Sequence, residues 1–422
     1  MSCKLKSIQS PNSIFSWCCY DFAISAYFSI VTTFIFATYF TQHVASNKII
    51  GTHQWGNALA LSGIIIAITS PLIGAIADRG GHGKRWLFFL TYLGILTTSL
   101  FWFIYPAVHY VIYALILLVI SNVSFELAFV FYNSALPKLA PAGYLGRISG
   151  WAWGAGYLGG LFCLSLSLLI FFSHPTIWLD QATLAQVRIN GPLVALWVLI
   201  FSLPLFLFIP DIIKKNVNLK QSIIEGLKQC KQSLYQLRQQ KNIFLFLLAH
   251  MIYSDGLNTL FAFGGIYAAG TFHMDMHEVL EFGIAMNITA GIGAVLFAWF
   301  DDWFGSKKTI LISIGALIFI GIVILVIYSK LLFWLIAPLI GLFIGPNQAA
   351  SRSLMARIAI PEQVNETFGL YSLSGKATAF LGPWLLGETT LFFGSQRAGM
   401  ATIFFFFLCG GILLLGVKEN QK

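Results

Sequence analysis

Charge is what this sequence lacks most. Only 10% of its 422 residues are Asp, Glu, Lys or Arg, while 58% are hydrophobic; an ordinary soluble domain carries about a quarter charged. A soluble protein of this length could not cover its surface with so few charges, so lipid must solvate part of it. Signals of enzymatic chemistry are missing too. There is no nucleotide-binding loop, no His-Glu-x-x-His, no nucleophilic-serine motif and no sizeable soluble stretch, which argues against both ATP drive and a membrane-embedded enzyme. Cysteine is sparse: the six, at 3, 18, 19, 163, 230 and 409, show no metal-type spacing, so neither a disulfide framework nor a zinc site is expected. His273 and His277 form a His-x3-His pair. Without a third ligand they read as a solvated loop, and no metal is expected there.

What the chain has instead is long apolar runs, rich in phenylalanine. A helix crossing a core of about 30 Å needs roughly 20 apolar residues. That ruler places spans near 14–42, 55–77, 86–106, 109–136, 144–173 and 191–209. Six more follow, near 241–271, 278–300, 308–328, 331–356, 365–393 and 397–416. Each run is far longer than a strand of a membrane barrel. Residues 1–13 carry Lys4 and Lys6, but the run behind them is too long for a cleavable signal.

The expected fold is therefore an all-α integral membrane protein of twelve transmembrane helices. They fall into two pseudo-symmetric six-helix bundles, 1–209 and 241–422, joined by a linker over 210–240. In the linker Leu219, Ile223, Leu227, Cys230, Leu234 and Leu237 recur at spacings of three and four. This reads as an amphipathic helix on the membrane surface, or alternatively as a helix that binds a regulatory partner.

The net charge of +9 could suggest nucleic acid, but its distribution says otherwise. With a cytoplasmic N-terminus, 20 of the 25 Lys and Arg fall in the tails, in loops after even-numbered spans or in the span ends that flank those loops. Lys48, Arg188, Lys330 and Arg397 fall on the opposite side, and Lys376 lies within a span. This positive-inside bias puts both termini in the cytoplasm, and no nucleic-acid partner is expected.

The halves repeat local patterns. Asp78-Arg79-Gly80-Gly81 with Lys84-Arg85 follows the second span; Asp302-Trp303-Phe304-Gly305 with Lys307-Lys308 follows the eighth. Each Asp stands four residues past a small residue, Gly74 or Ala298. Pro141, Gly150 and Gly156 are answered by Pro361, Gly369 and Gly375. Parallel repeats of this kind mark alternating-access transporters. The small residue lets two helix ends approach, and the Asp can accept hydrogen bonds from a neighbouring helix N-terminus. Such a contact can form when one side closes and break when it opens. The plainer account is topology charge alone.

The stretch from Gly74 to Arg85 resembles the G-x3-D-R-x-G-R-R signature of the major facilitator superfamily. A closer resemblance lies in Trp17-x2-Tyr20-Asp21-Phe22-Ala23 with Ser25, in Gly146-Arg147-Ile148-Ser149-Gly150, and in Tyr253-Ser-Asp255-Gly-Leu-Asn258 leading to Tyr267. It continues through Ser351-Arg352 to Arg357 and Phe368-Gly369-Leu-Tyr371 to Lys376. Together these resemble the "unknown major facilitator" family, which includes a fungal vacuolar amino-acid effluxer linked to autophagy. Ile24 stands where the family pattern usually has Asn, so that amide's hydrogen bonds are missing here. The resemblance implies the major facilitator fold, with spans one, four, seven and ten lining the cavity.

Buried charge supplies the site expectation. Each acidic or basic residue at mid-helix costs about 2.5–3.5 kcal/mol on insertion scales. Asp21, Glu126, Asp255 and Lys376 lie well inside apolar spans, so they should face a wet cavity or each other. Asn122, Glu126 and Asn133 fall on one helical face. Asp255 and Asn258 can face one space. Asn347 and Gln348 follow Gly345-Pro346, a pair expected to bend the tenth span. With Ser25 and Tyr267 these form the candidate substrate-binding and coupling set. Lys376 could pair with Glu126, Asp255 or Asp21; such a pair either binds a charged end of the substrate or responds to a proton, or merely holds helices together. Tyr39, Trp151 and Trp153 either shape the cavity or belong to interface belts. Candidate gate residues are Gly74, Asp78, Arg79, Lys84, Arg85, Arg147, Asp302, Gly305, Lys307, Arg352, Arg357 and Glu366. For Arg147, Arg352 and Arg357 the expected partners are Asp78, Glu362 or Glu366; topology and headgroup contact are the plainer reading.

The functional expectation is a secondary active transporter for a small polar or zwitterionic, amino-acid-like metabolite. It would be proton-coupled, need no cofactor beyond an ion gradient, and act as a monomer in the lipid bilayer. A drug exporter of the same fold, and a membrane-embedded enzyme or lipid scramblase, are the competing readings. Compact loops point to a bacterial inner membrane.

Overall fold

A computed structural model describes residues 10–80, 82–141, 143–172, 180, 182–209, 224–225, 228, 240–274 and 276–419. The linker stripe from Leu219 to Leu237 lies outside the described residues, as do Lys4, Lys6, Gly81 and the side chain of His277.

Among the described residues eleven helices are long and apolar enough to cross a bilayer. Ten of them are α1 (Pro11–Val44), α2 (Lys48–Gly80), α3 (Gly83–Phe103), α4 (Val108–Leu139), α5 (Leu145–Phe171) and α6 (Ala185–Phe208), then α7 (Lys241–Phe272), α8 (Met276–Phe304), α9 (Ser306–Val326) and α10 (Lys330–Ile358), and the eleventh closes the chain. The stretch expected as one span at 365–393 is two shorter helices, α11 (Val364–Lys376) and α12 (Leu381–Phe393). The last helix is α13 (Gln396–Leu415). No strand occurs among the described residues.

Local chemistry explains the ends. At the start of α1 the Ser10 hydroxyl accepts from the Ser13 amide at 3.2 Å, and Pro11 occupies the first turn, where its missing N–H costs nothing. Between α11 and α12, Pro383 cannot donate to the carbonyl four residues back. It is tolerated as the third residue of a new helix and not inside a continuous one. The Gly345-Pro346 pair lies inside a continuous helix, Pro338–Ile358, and the interruption in α10 falls at Ala337. Gly345 serves packing instead, since a Cβ there would lie 2.0 Å from the Ala290 carbonyl oxygen of α8.

The chain forms two compact units. One comprises Met1–Thr69, Gly80–Asn133 and Ala155–Asn216; the other comprises Ser70–Arg79, Ser134–Gly154 and Val217–Lys422. In the first, α1 packs on α4 through an aromatic ladder. The Trp17 and Tyr132 rings stack at 4.5 Å, and Tyr20 lies on the same Tyr132 ring at 4.9 Å. Each backbone is tied as well: the Trp17 indole donates to the Tyr132 carbonyl, and the Tyr132 hydroxyl donates to that of Trp17, both at 3.0 Å. In the second unit α7 packs along α13, and α8 and α9 pack against α10. Ile112, Leu207, Phe319 and Phe392 are each at least 70% exposed. Large apolar side chains in that state fit acyl chains, not water.

Candidate functional site

Two carboxylates organise one end of the helices. Asp78, near the end of α2, accepts from the Asn365 and Glu366 amides at 3.2 and 2.8 Å and from the Asn365 side-chain amide at 2.7 Å. Those amides are the free donors of the first turn of α11, where a helix dipole favours an anion. Asn365 is tied in turn by the Ser134 hydroxyl of α4. The approach is close because of Gly74: a Cβ there would stand 2.5 Å from the Asn365 carbonyl oxygen.

Asp302, near the end of α8, does the same to α5. It accepts from the Gly146 and Arg147 amides at 2.7 and 3.2 Å. Gly150 lets α5 lie on α8, with a hypothetical Cβ 2.5 Å from that of Ala298. The Arg147 guanidinium pairs with Asp302 at 3.0 Å, and Arg357 reaches Asp301 at 3.2 Å and Asp302 at 3.6 Å. These partners differ from the Asp78, Glu362 and Glu366 expected for them. The reason is placement: the first turn of α5 and the last turn of α10 both converge on the end of α8. Asp301 is buried beneath them and accepts from the Ser306 and Ser353 hydroxyls.

Glu419 joins this cluster. Its two carboxylate oxygens accept from the Ser306 and Lys307 amides, both at 2.8 Å, and it lies 3.4 Å from the Arg357 guanidinium. It thus caps α9, directly after Gly305, whose φ of +95° lets the chain turn between α8 and α9. Lys84 and Lys307, candidates for the gate, make caps of another kind. Lys84 opens α3 and donates to the Phe206 carbonyl at 2.8 Å and to that of Ile209, at the end of α6. Lys307 opens α9 and donates to the Leu415 and Val417 carbonyls, both at 2.7 Å, at the end of α13. Arg79 and Arg85 are exposed.

Of the candidate binding residues, Asp21 accepts from the Tyr132 hydroxyl at 2.9 Å. Ser25 lies against Gly156 of α5, where a Cβ would meet its hydroxyl at 2.7 Å. Glu126 acts electrostatically on Tyr27. Asn122 is buried, whereas Asn133 is half-buried on the same helix. Asp255 is buried and hydrogen-bonds Thr378, beyond the end of α11, while Asn258 is exposed; three residues apart, they face different surroundings. Gln348 and Lys376 are both half-buried. Tyr267 is buried, its ring edge-on to Phe272 at 5.7 Å, and no described residue hydrogen-bonds its hydroxyl.

Asn347 is the sharpest case. It is fully buried, yet neither its amide nitrogen nor its amide oxygen has a partner among the described residues. A buried amide in that state awaits water or a ligand. One turn on, the Arg352 guanidinium is buried and donates to the Ser149 carbonyl at 2.7 Å and hydroxyl at 3.0 Å. Tyr253 and Ser351 bond through their hydroxyls at 2.7 Å. The first unit repeats this α7–α10 link on α1 and α4, where the Tyr27 and Ser121 hydroxyls also lie 2.7 Å apart.

Sequence reasoning passed over Asp301, Glu419, Asn365 and His250. Asp301 could have been found from the doublet it forms with Asp302. Nothing in the pattern marked the others.

The comparisons with known proteins agree with this architecture. The family profile described as "Vacuole effluxer Atg22 like" matches residues 57–422. An uncharacterized MFS-type transporter of Bacillus subtilis, YxiO, is 26% identical over 96% of this chain and 95% of its own length. Autophagy-related protein 22 of Pichia angusta is 26% identical over 78% of this chain and 68% of its own. The proton:xylose symporter XylE superposes with a TM-score of 0.73 at 14% identity, covering 100% of this chain and 97% of XylE. FucP in its outward conformation also gives 0.73, at 15% identity over 98% and 100% of the two chains. At such identity the two structures speak to the fold alone, and they place it among the major facilitators. With the profile covering most of its length, the chain belongs to the Atg22-like vacuole effluxer family of major-facilitator transporters.

Proposed function

We propose that this transporter moves a small zwitterionic, amino-acid-like metabolite by alternating access, coupled to protons. In this reading it works as a monomer of two six-helix halves, both termini cytoplasmic, in a bacterial inner membrane. The observation that carries it is the pair of carboxylate caps: Asp78 of the first half on α11 of the second, and Asp302 of the second on α5 of the first. Contacts of this kind break when the two halves part at the cytoplasmic end. Substrate class is supported by the opposite-sign groups set in apolar helices, Lys376 against Asp21, Glu126 and Asp255, which suit an ammonium and a carboxylate. The amide of Asn347, without a partner among the described residues, adds a donor and an acceptor. The family description as an effluxer favours export.

Purified protein in liposomes, screened against an amino-acid and metabolite panel with and without an imposed pH gradient, tests this. Gradient-driven movement of amino acids is expected. Movement of hydrophobic compounds alone, tolerant of Lys376→Ala, would replace this reading with a drug exporter.

A further inference from the structure

His250 is a buried titratable residue in the first third of α7 that the proposed function does not use. It is only 7% exposed. Its ring sits in an aromatic box: Tyr371 of α11 at 4.2 Å, Tyr253 edge-on at 5.4 Å and Phe246 at 6.0 Å. Nδ1 lies 2.7 Å from the Ser374 hydroxyl. That hydroxyl already gives its proton to the Tyr371 carbonyl at 2.7 Å, so toward His250 it can only accept. The hydrogen therefore sits on Nδ1, and the imidazole is the neutral tautomer with its lone pair on Nε2. No described residue hydrogen-bonds Nε2. A structural histidine would be expected to have both nitrogens engaged; this one presents a bare acceptor.

We propose that His250 is the proton-binding group of the transport cycle, Nε2 being the atom that takes the proton. The step is simple: the Nε2 lone pair forms a bond to an incoming proton, no other bond breaks, and the Nδ1–H to Ser374 remains. The Tyr371 ring, 4.2 Å away, offers the imidazolium part of the attraction that water would otherwise supply. Arg352 of α10, which acts on Tyr371, opposes it, and Lys376 stands two residues past Ser374 on α11. Asp255 lies five residues on along α7, and Cys409 of α13 adjoins Gly410, which packs on Tyr253. The new Nε2–H needs an acceptor that the described residues do not provide. A substrate carboxylate provides it, so proton and substrate each strengthen the other's binding, as linkage requires.

This inference rests on the proton-coupled reading, and the experiment separates the two. Wild type, His250→Gln and Ser374→Ala are purified and reconstituted, monodispersity confirming the fold. Accumulation of an amino-acid mixture is measured with and without a pH gradient. In parallel, side-chain 15N-histidine NMR follows Nε2 against pH. Wild type is expected to accumulate on the gradient, and His250→Gln to lose accumulation at least tenfold, its remaining exchange being indifferent to the gradient. Ser374→Ala should shift the Nε2 titration and the pH profile together. Gradient-driven accumulation by His250→Gln equal to wild type would overturn the inference and leave coupling intact. Wild type indifferent to the gradient would overturn coupling; the NMR then decides His250 by itself, an Nε2 signal that never titrates sinking it.

Discussion

Arg188 stands to α3 as Arg397 stands to α9. The Arg188 guanidinium donates to the Trp102 carbonyl at 2.8 Å and lies over the Tyr105 ring at 3.9 Å. The Arg397 guanidinium donates to the Leu325 carbonyl and to that of Ile327 at 2.7 Å, over the Tyr328 ring at 4.3 Å. Each tyrosine stands two residues beyond the end of its helix. With Lys84 and Lys307 capping the opposite ends, each antiparallel pair, α3 with α6 and α9 with α13, is clasped at both ends by cations on orphan carbonyls. Two of the four basic residues expected on the far side thus have a local reason to defy the charge bias.

The clasps should matter for stability. Arg188 is almost wholly buried, and a charge-assisted bond to a buried carbonyl contributes about 1.5–3 kcal/mol. Arg188→Ala is expected to lower the thermal midpoint in detergent by several degrees, with Arg188→Lys recovering part of it. An unchanged midpoint would mean that the carbonyls find water at no cost.

The carboxylate caps should hold the helix N-termini that they bond. Asp78→Asn and Asp302→Asn keep an acceptor but lose the charge that the helix N-termini favour, about 0.3–1 kcal/mol each and up to about 2 kcal/mol when partly buried. Faster hydrogen exchange over residues 145–149 for Asp302→Asn and over 364–368 for Asp78→Asn is the expected result. If neither segment responds, the caps are ornaments of the fold.

Gly74 should tolerate no side chain in this state. A valine there would collide with the Asn365 backbone, which cannot swing aside as a flexible side chain can. Gly74→Val should fold, lose transport, and expose residues 364–368 to exchange. Full transport by this variant would show that the close approach of α2 and α11 is dispensable.

Glu419 should support the second cluster from outside the helices. Glu419→Gln removes a charged cap from α9 and a partner from Arg357; a cap of this kind contributes about 0.5–2 kcal/mol. Loss of stability in that range, with faster exchange at residues 306–309, is expected. Wild-type exchange there would assign the cap to Gly305 geometry alone.

Much of this molecule was legible before any coordinates. Apolar run length alone determined eleven of the helices to within a few residues at most ends, because in lipid every backbone polar group must be satisfied within its own segment. The repeated acid four residues past a small residue, Gly74–Asp78 and Ala298–Asp302, named both caps, because that spacing puts the two on one helical face. Tertiary structure decided the rest. Which amides Asp78 and Asp302 meet, that Arg147 and Arg357 turn to Asp302, and that Glu419 enters the same cluster depend on partners up to 288 residues away in the chain. The tautomer of His250 depends on where Ser374 spends its one proton. Periodicity reports which face of a helix is apolar; it does not report which neighbour that face meets, and charge pairing is set by the neighbour.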